Sequence, residues 1–330
     1  MTCLKSGLKI LLLLGIFLAG SRFYIDQKAA SNASAAEASH PPLGQILMVD
    51  GIPVHAVVRG QGPDVILIHG ASGNARDFTF DLVDRLDDHY RVIAFDRPGL
   101  GYTGRVTQAV NDPNGPRPET PSEQAILLEA AARQLNVDKA VVLGQSYGGA
   151  VALGWAIERP DTVSALVLVS AVTTPWNTDL EGWYALMEHN IGPSFVAPMV
   201  SAFATPERAD SVLNDIFSPQ HPPQGYRNYV GVGLTTRLNS LISNANQVNA
   251  LHDYITDIQS RLPEISIPVE AIHGTADKIV PSIVHADHLE DRLHMLNMTL
   301  LEGVGHMPHH TNPDAVLDAI SRAVDRSRLR

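Results

Sequence analysis

The chain has 330 residues, 45% of them hydrophobic and 18% charged, which admits one large globular domain or two modest ones. A formal net charge of −11, with no Lys/Arg cluster to neutralise phosphates, argues against nucleic acid as a partner. The single cysteine, Cys3, precedes the first apolar segment, so neither an intrachain disulfide nor a cysteine zinc site can form.

Lys5 and Lys9 flank the start of an apolar run from Leu8 to Ala19. That run is too short to span about 30 Å of hydrocarbon. Extension to Ile25 reaches a spanning length but takes in Ser21 and Arg22. Residues 1–25 therefore read as a signal peptide cut after Ala19-Gly20-Ser21, or as an uncleaved signal anchor, with the anchor favoured. A lipoprotein is disfavoured, because no cysteine follows Leu18-Ala19-Gly20. The leading lysines place the rest of the chain outside the cytoplasm, membrane-anchored or, after cleavage, secreted or periplasmic. Residues 26–44 are rich in Ala and Ser and are expected to form a flexible spacer.

Residues 45–330 read as the folded domain. Ile46 to Val58 contains Asp50-Gly51 between apolar stretches, a hairpin signal. Short continuous runs of Val, Ile and Leu follow: Val65–Ile68, Val92–Phe95, Ala140–Leu143, Ala165–Val169, Val269–Ile272 and Met298–Leu301. Such runs suit parallel strands covered on both faces. Helical patterns alternate with them at Asp77–Asp88, Ser122–Leu135, Gly149–Arg159, Pro281–Asp291 and Pro313–Val324. This alternation predicts an α/β fold with a mostly parallel sheet and helices on both faces. Residues 174–262 break the rhythm. Leu234, Leu238, Leu241, Ala245, Val248, Leu251 and Ile255 recur there at helical spacing, which predicts a long amphipathic helix within a helical cap insertion. Such an insertion would roof the carboxyl ends of the strands, where α/β proteins bind ligands.

The chemistry centres on Gly144-Gln145-Ser146-Tyr147-Gly148. A buried strand leads into this turn and a helix leads out, so Ser146 sits on a crowded corner that lifts its hydroxyl clear of the sheet. A serine hydroxyl needs an imidazole to take its proton, and the imidazole needs an acid to fix its tautomer. Of fourteen histidines the best placed is His306, in Gly303-Val304-Gly305-His306-Met307-Pro308, between the last strand and the last helix. His309 and His310 lie closer to the helix start and are expected to face outward. His69, at a strand end beside Gly70, reads as shaping its loop. The acid is Asp277, in the loop after the preceding strand. Asp179 and Glu181, one strand earlier, carry little weight. The oxyanion of acyl transfer needs two aimed N–H groups. Tyr147 supplies one, and the loop His69-Gly70-Ala71-Ser72-Gly73 the other, with Ala71 first choice and Ser72 second. No metal or cofactor is implied, since no metal-ligand spacing occurs.

These residues resemble the α/β-hydrolase superfamily, in its cap-bearing esterase, lipase, haloperoxidase and carbon–carbon-bond hydrolase branch. The resemblance runs from about Gln45 to the C-terminus. It rests on His69-Gly70, Asp96 to Thr103, Gly144 to Gly149, Gly274 to Pro281 and Gly305 to Pro308, in family order. It implies a mainly architectural role for Asp96 to Thr103. It also implies a Ser146–His306–Asp277 serine hydrolase acting on a small, apolar carboxylic ester or related acyl compound. Carbon–carbon hydrolysis, lyase or cofactor-free perhydrolase chemistry share that constellation, and a binding member without turnover is a third reading. An aspartate at the elbow would mark epoxide hydrolases and dehalogenases, so Ser146 argues against both. One departure is visible: where the family often has an apolar residue and then an acid, this chain has His310 and Thr311.

Overall fold

The computed structural model describes residues 2–106, 117–178, 180, 182–188, 191–287 and 289–328, with residues 2–8 and residue 10 described by their backbone alone. Its centre is an eight-stranded sheet in the order β1-β2-β4-β3-β5-β6-β7-β8. The strands are β1 Gln45–Val49, β2 Ile52–Arg59, β3 Asp64–Ile68, β4 Arg91–Phe95, β5 Ala140–Gln145, β6 Val163–Val169, β7 Val269–Gly274 and β8 Leu296–Leu301. From β3 to β8 all pairings are parallel, while β1 pairs antiparallel with β2, and β2 with β4. The β1–β2 turn uses Asp50 at φ 50° and Gly51 at φ 80°, the left-handed pair that matches hairpin twist.

The apolar runs of the sequence become these strands because both faces are covered. Alternate residues point to opposite sides. In β3, Ile66 and Ile68 join the core under the helices Pro121–Gln134 and Tyr147–Glu158. Val65 and Leu67 join the core under Leu82–Leu86 and Pro313–Arg328. The helix Pro121–Gln134 starts on a capping box, in which the Thr120 hydroxyl accepts from the Glu123 amide (3.2 Å) and Glu123 Oε2 accepts from the Thr120 amide (2.9 Å).

Three expected helices come out differently. The pattern at Asp77–Asp88 divides into Arg76–Thr79 and Leu82–Leu86, and that at Pro281–Asp291 shrinks to Ser282–His285. The long amphipathic helix is broken at Thr236–Arg237 and again at Ala250, into Val232–Thr235, Leu238–Asn249 and Leu251–Ile258. The last piece meets the sheet domain, where Tyr254 and Ser122 share a 2.9 Å hydroxyl contact. Between β6 and β7 the described residues form helices and turns alone.

The amino-terminal region departs most from expectation. Residues 26–39, read as spacer, continue one 38-residue helix, Thr2–Ser39. Alanine is the strongest helix former, and its small side chain lets the helix lie close against the cap. Ala29 and Ala36 are buried. Asn32 Nδ2 donates to the Ser201 and Ala202 carbonyls (3.0 Å each), and Arg237 pairs with Glu37 at 2.8 Å. At Gly233 a Cβ would lie 2.8 Å from the Ala36 methyl, so glycine is what allows this approach. Among the described residues no helix is long and apolar enough to cross a membrane. The start of the apolar run, through Leu8 and at Ile10, lies outside the described side chains.

Candidate active site

Ser146 follows directly on β5 and caps the helix Tyr147–Glu158, at φ 53° and ψ −119°. A non-glycine residue rarely adopts this backbone, and here the surroundings impose it. The Ser146 amide donates to the Val169 carbonyl (2.9 Å), and its carbonyl accepts from Gly149 (2.9 Å) and Val172 (3.2 Å). The corner is tight enough that a Cβ on Gly148 would lie 2.1 Å from the Ile68 carbonyl oxygen.

The loop after β7 brings Asp277 to the loop after β8. Asp277 Oδ2 lies 2.8 Å from His306 Nδ1, both groups buried. Its Oδ1 accepts from the Ile279 and Val280 amides at 2.9 Å each. Burial by itself would raise the Asp277 carboxyl. Hydrogen bonds from His273 and His306 and from the Val280 amide outweigh it and hold the group well below the usual carboxylate range. An ionised Asp277 keeps the proton on His306 Nδ1 and leaves Nε2 as a lone pair. The Gln145 carboxamide approaches that lone pair at 3.4 Å and also donates to the His306 carbonyl at 3.3 Å. Ser146, the next residue, makes no hydrogen bond to His306 among the described contacts; such bonds are often long in the absence of substrate. Asp179 and Glu181 lie outside the described residues.

The Tyr147 amide stands at the first turn of the helix behind Ser146. In the loop after β3, neither Ala71 nor, at the elbow, Tyr147 donates its amide to another described residue. The Ser72 amide is taken: it donates to Asn244 Oδ1 of the cap at 2.6 Å. Of the two candidates expected in this loop, Ala71 is therefore the one whose amide is left open among the described residues.

Arg97, fully buried, reaches this loop from the end of β4. Its Nε donates to the His69 carbonyl (2.9 Å) and its Nη2 to the Gly70 carbonyl (3.1 Å), and it lies 4.1 Å over the Tyr147 ring. Burial lowers Arg97 to about 10. His69 is neutral in this setting. Burial, then the Arg97 charge, lowers it to about 4, and its Nδ1 donates to Gly70 O at 2.8 Å while its Nε2 accepts from the Arg97 amide at 2.9 Å. The Asp96–Thr103 segment therefore holds the loop after β3 as well as its own turn.

His309 and His310, expected to face outward, point inward. Their Nε2 atoms lie 3.1 and 2.7 Å from the Asp77 carboxylate, which also accepts from the Tyr226 hydroxyl at 2.6 Å. A buried carboxylate needs donors, and the one-turn helix Pro308–Thr311 turns both rings to it. Burial would raise Asp77, but His309 and His310 pull it well below its ordinary value. These three residues are grouped closely enough to hold a metal ion. However, each Nδ1 is buried without a partner, whereas a ligating histidine normally has its second nitrogen held. The doublet His309-His310 was the available signal for this cluster; nothing in the sequence tied it to Asp77. The cap aromatics Trp176 and Tyr184 pack partly buried against the main core.

A strained serine at a strand-to-helix corner, with a buried imidazole–carboxylate pair after the last strands, defines a hydrolase of α/β architecture. The chain belongs to the alpha/beta hydrolase family, whose model matches residues 65–319. It is 28% identical over 261 residues to a pimeloyl-[acyl-carrier protein] methyl ester esterase of Vibrio atlanticus (strain LGP32), covering 78% of this chain and 93% of that one. Among solved structures, an esterase from Exiguobacterium antarcticum is 21% identical with a TM-score of 0.67, over 85% of this chain and 99% of that one. A membrane phospholipase A described as a bacterial virulence factor is also 21% identical, with a TM-score of 0.60 over 95% of this chain and 98% of that one.

Proposed function

We propose that the protein is a serine esterase that cleaves a carboxylic ester through an acyl-enzyme. The observation that carries this reading is the buried 2.8 Å contact of His306 Nδ1 with Asp277, which fixes the Nδ1 proton so that the Nε2 lone pair can act as a base. Ser146 Oγ attacks the ester carbonyl and passes its proton to His306 Nε2. The oxyanion so formed accepts from the Ala71 and Tyr147 amides. Collapse expels the alcohol, which takes the proton from His306. Water then attacks the acyl-enzyme by the same route in reverse and releases the acid. The esterase named among the sequence relatives supports an ester as substrate. A fluorophosphonate probe should label Ser146, and Ser146→Ala should abolish labelling and lower turnover of a short p-nitrophenyl ester by about a thousandfold or more. Full-strength labelling of the alanine variant would falsify the assignment.

We also propose that the amino-terminal helix attaches the enzyme to a membrane, with the catalytic domain outside the cytoplasm, and that the substrate is an apolar acyl compound. Leu11 to Leu14, Ile16, Phe17 and Leu18 are exposed on that helix. A groove of about 510 Å³ between the helix and the cap, lined by Phe17, Tyr24, Met199 and Phe203 among others, continues the apolar surface. The overlay with a membrane phospholipase A is in keeping with this. Fractionation of the full chain tests it: recovery in the soluble cytoplasmic fraction would contradict it.

A further inference from the structure

The loop that carries Ala71 is gripped from the cap. Thr235 Oγ1 donates to the Ser72 carbonyl at 2.8 Å. Asn244 Oδ1 accepts from the Ser72 amide at 2.6 Å, and Asn244 Nδ2 donates to Ser72 Oγ at 3.0 Å. Ser72 itself sits at φ 58°, a left-handed conformation that costs a serine roughly 1 kcal/mol and must be held by its surroundings. One helical turn beyond Asn244, Gln247 is fully buried. Its Oε1 accepts from Arg97 Nη1 at 2.9 Å, and its Nε2 donates to the Pro98 carbonyl at 2.8 Å. Residues three apart on a helix share a face, so Asn244 and Gln247 act on the loop together.

Peptide planarity makes this grip consequential. The Ala71 N–H belongs to the same rigid plane as the Gly70 carbonyl and points the opposite way. Arg97 and His69 fix that carbonyl, and Gln247 helps to fix Arg97. The next plane contains the Ser72 N–H, which Asn244 fixes. Both planes flanking Ala71 are thus pinned, one through Arg97 and one directly. If the helix Leu238–Asn249 lifts, Ser72 loses the Asn244 contacts on its amide and hydroxyl, the plane between Ala71 and Ser72 is free to turn, and Arg97 loses Gln247, one of the groups that hold it against the Gly70 carbonyl.

We propose that Asn244, supported by Gln247, is a positioning residue that aims the Ala71 amide, so that the oxyanion pocket is complete only while the long cap helix is seated. This rests on the serine esterase reading. It makes the cap a part of the transition-state machinery as well as a roof over the substrate.

The test uses the full chain and two readouts, hydrogen exchange of residues 69–75 and steady-state hydrolysis of a short p-nitrophenyl ester. In Asn244→Ala the loop should exchange about tenfold faster or more. Its kcat should fall by about tenfold or more, with KM within about threefold of the parent. Thr235→Val, which removes only the hold on the Ser72 carbonyl, should change both in the same direction by less; it serves alone if Asn244→Ala does not fold. Unchanged exchange in the folded variants overturns the grip, whatever the activity. Faster exchange with kcat unchanged overturns its link to the oxyanion. A loss that falls mainly on KM makes Asn244 a substrate contact and overturns the proposal too. A parent enzyme that takes no fluorophosphonate at Ser146 overturns the esterase reading and this proposal together, and is recognised before any cap variant is made.

Discussion

The two walls of the site are built by different means. On the sheet side, position is set by backbone pressed against backbone. Gly148 passes so close to the Ile68 carbonyl that no side chain fits, and Ser146 is held at φ 53° by main-chain hydrogen bonds. On the cap side, position is set by side chains: Asn244, Thr235 and, through Arg97, Gln247. Close backbone contact is stiff and intolerant of change. A hydrogen-bonded grip yields when its helix moves. Ser146 is therefore fixed by the fold, while the loop that carries Ala71 and Ser72 is held in part by side chains of an insertion.

Substitutions can break or sharpen this contrast. The largest effect is expected at Asp277→Asn, which removes the charge that orients His306; kcat should fall by about a thousandfold with little change in KM, measured on a p-nitrophenyl ester. An effect under about tenfold would show that the orienting acid lies elsewhere. Next, Gly148→Ala should destabilise the protein by about 1–3 kcal/mol in urea unfolding, because the new methyl must displace the Ile68 backbone. A neutral outcome would mean that the sheet wall is softer than its contacts imply.

The smallest effect lies in pH dependence. Burial lowers His285 to about 4 from its ordinary 6.5, the nearby His273 charge adding to this. His69 behaves likewise. Between these values the unfolded chain binds protons that the folded chain refuses. Stability should therefore fall as pH drops from about 6.5 toward 4, and these groups should add no slope above that window. The depressed carboxylates Asp77 and Asp277 lose their contribution lower, from about pH 5 downward. His285 Nδ1 accepts from the Thr173 and Thr174 amides (3.4 and 3.3 Å), a role that an amide oxygen can fill. His285→Asn should accordingly flatten part of the decline between pH 6.5 and 5 in urea titrations. An unchanged slope would mean that His285 titrates normally in the fold.

What could be read in the sequence follows the same division. The strands were legible because parallel strands buried on both faces must be continuous runs of Val, Ile and Leu. The elbow was legible because its crowding demands glycine on both sides of the serine. The partners of Ser72 were not. Asn244 lies 172 residues from Ser72, and an asparagine on an amphipathic helix carries no mark of what it will meet. The inward turn of His309 and His310 was hidden for the same reason, since Asp77 stands more than 230 residues away. Residues 26–39 misled by composition: Ala and Ser suit a loose linker and a closely packed helix equally, and only the cap surface decides between them.

The amino-terminal helix has a mechanical consequence. At about 1.5 Å per residue its 38 residues extend roughly 57 Å, and its side-chain ties to the cap run from Arg22 to Glu37. The leading half is a rod and the trailing half its handle. Ala36 bears on Gly233, and two residues along the same short turn, Val232–Thr235, the Thr235 hydroxyl grips Ser72. A torque applied at the far tip has only that one turn to cross before it reaches Ser72 in the loop after β3.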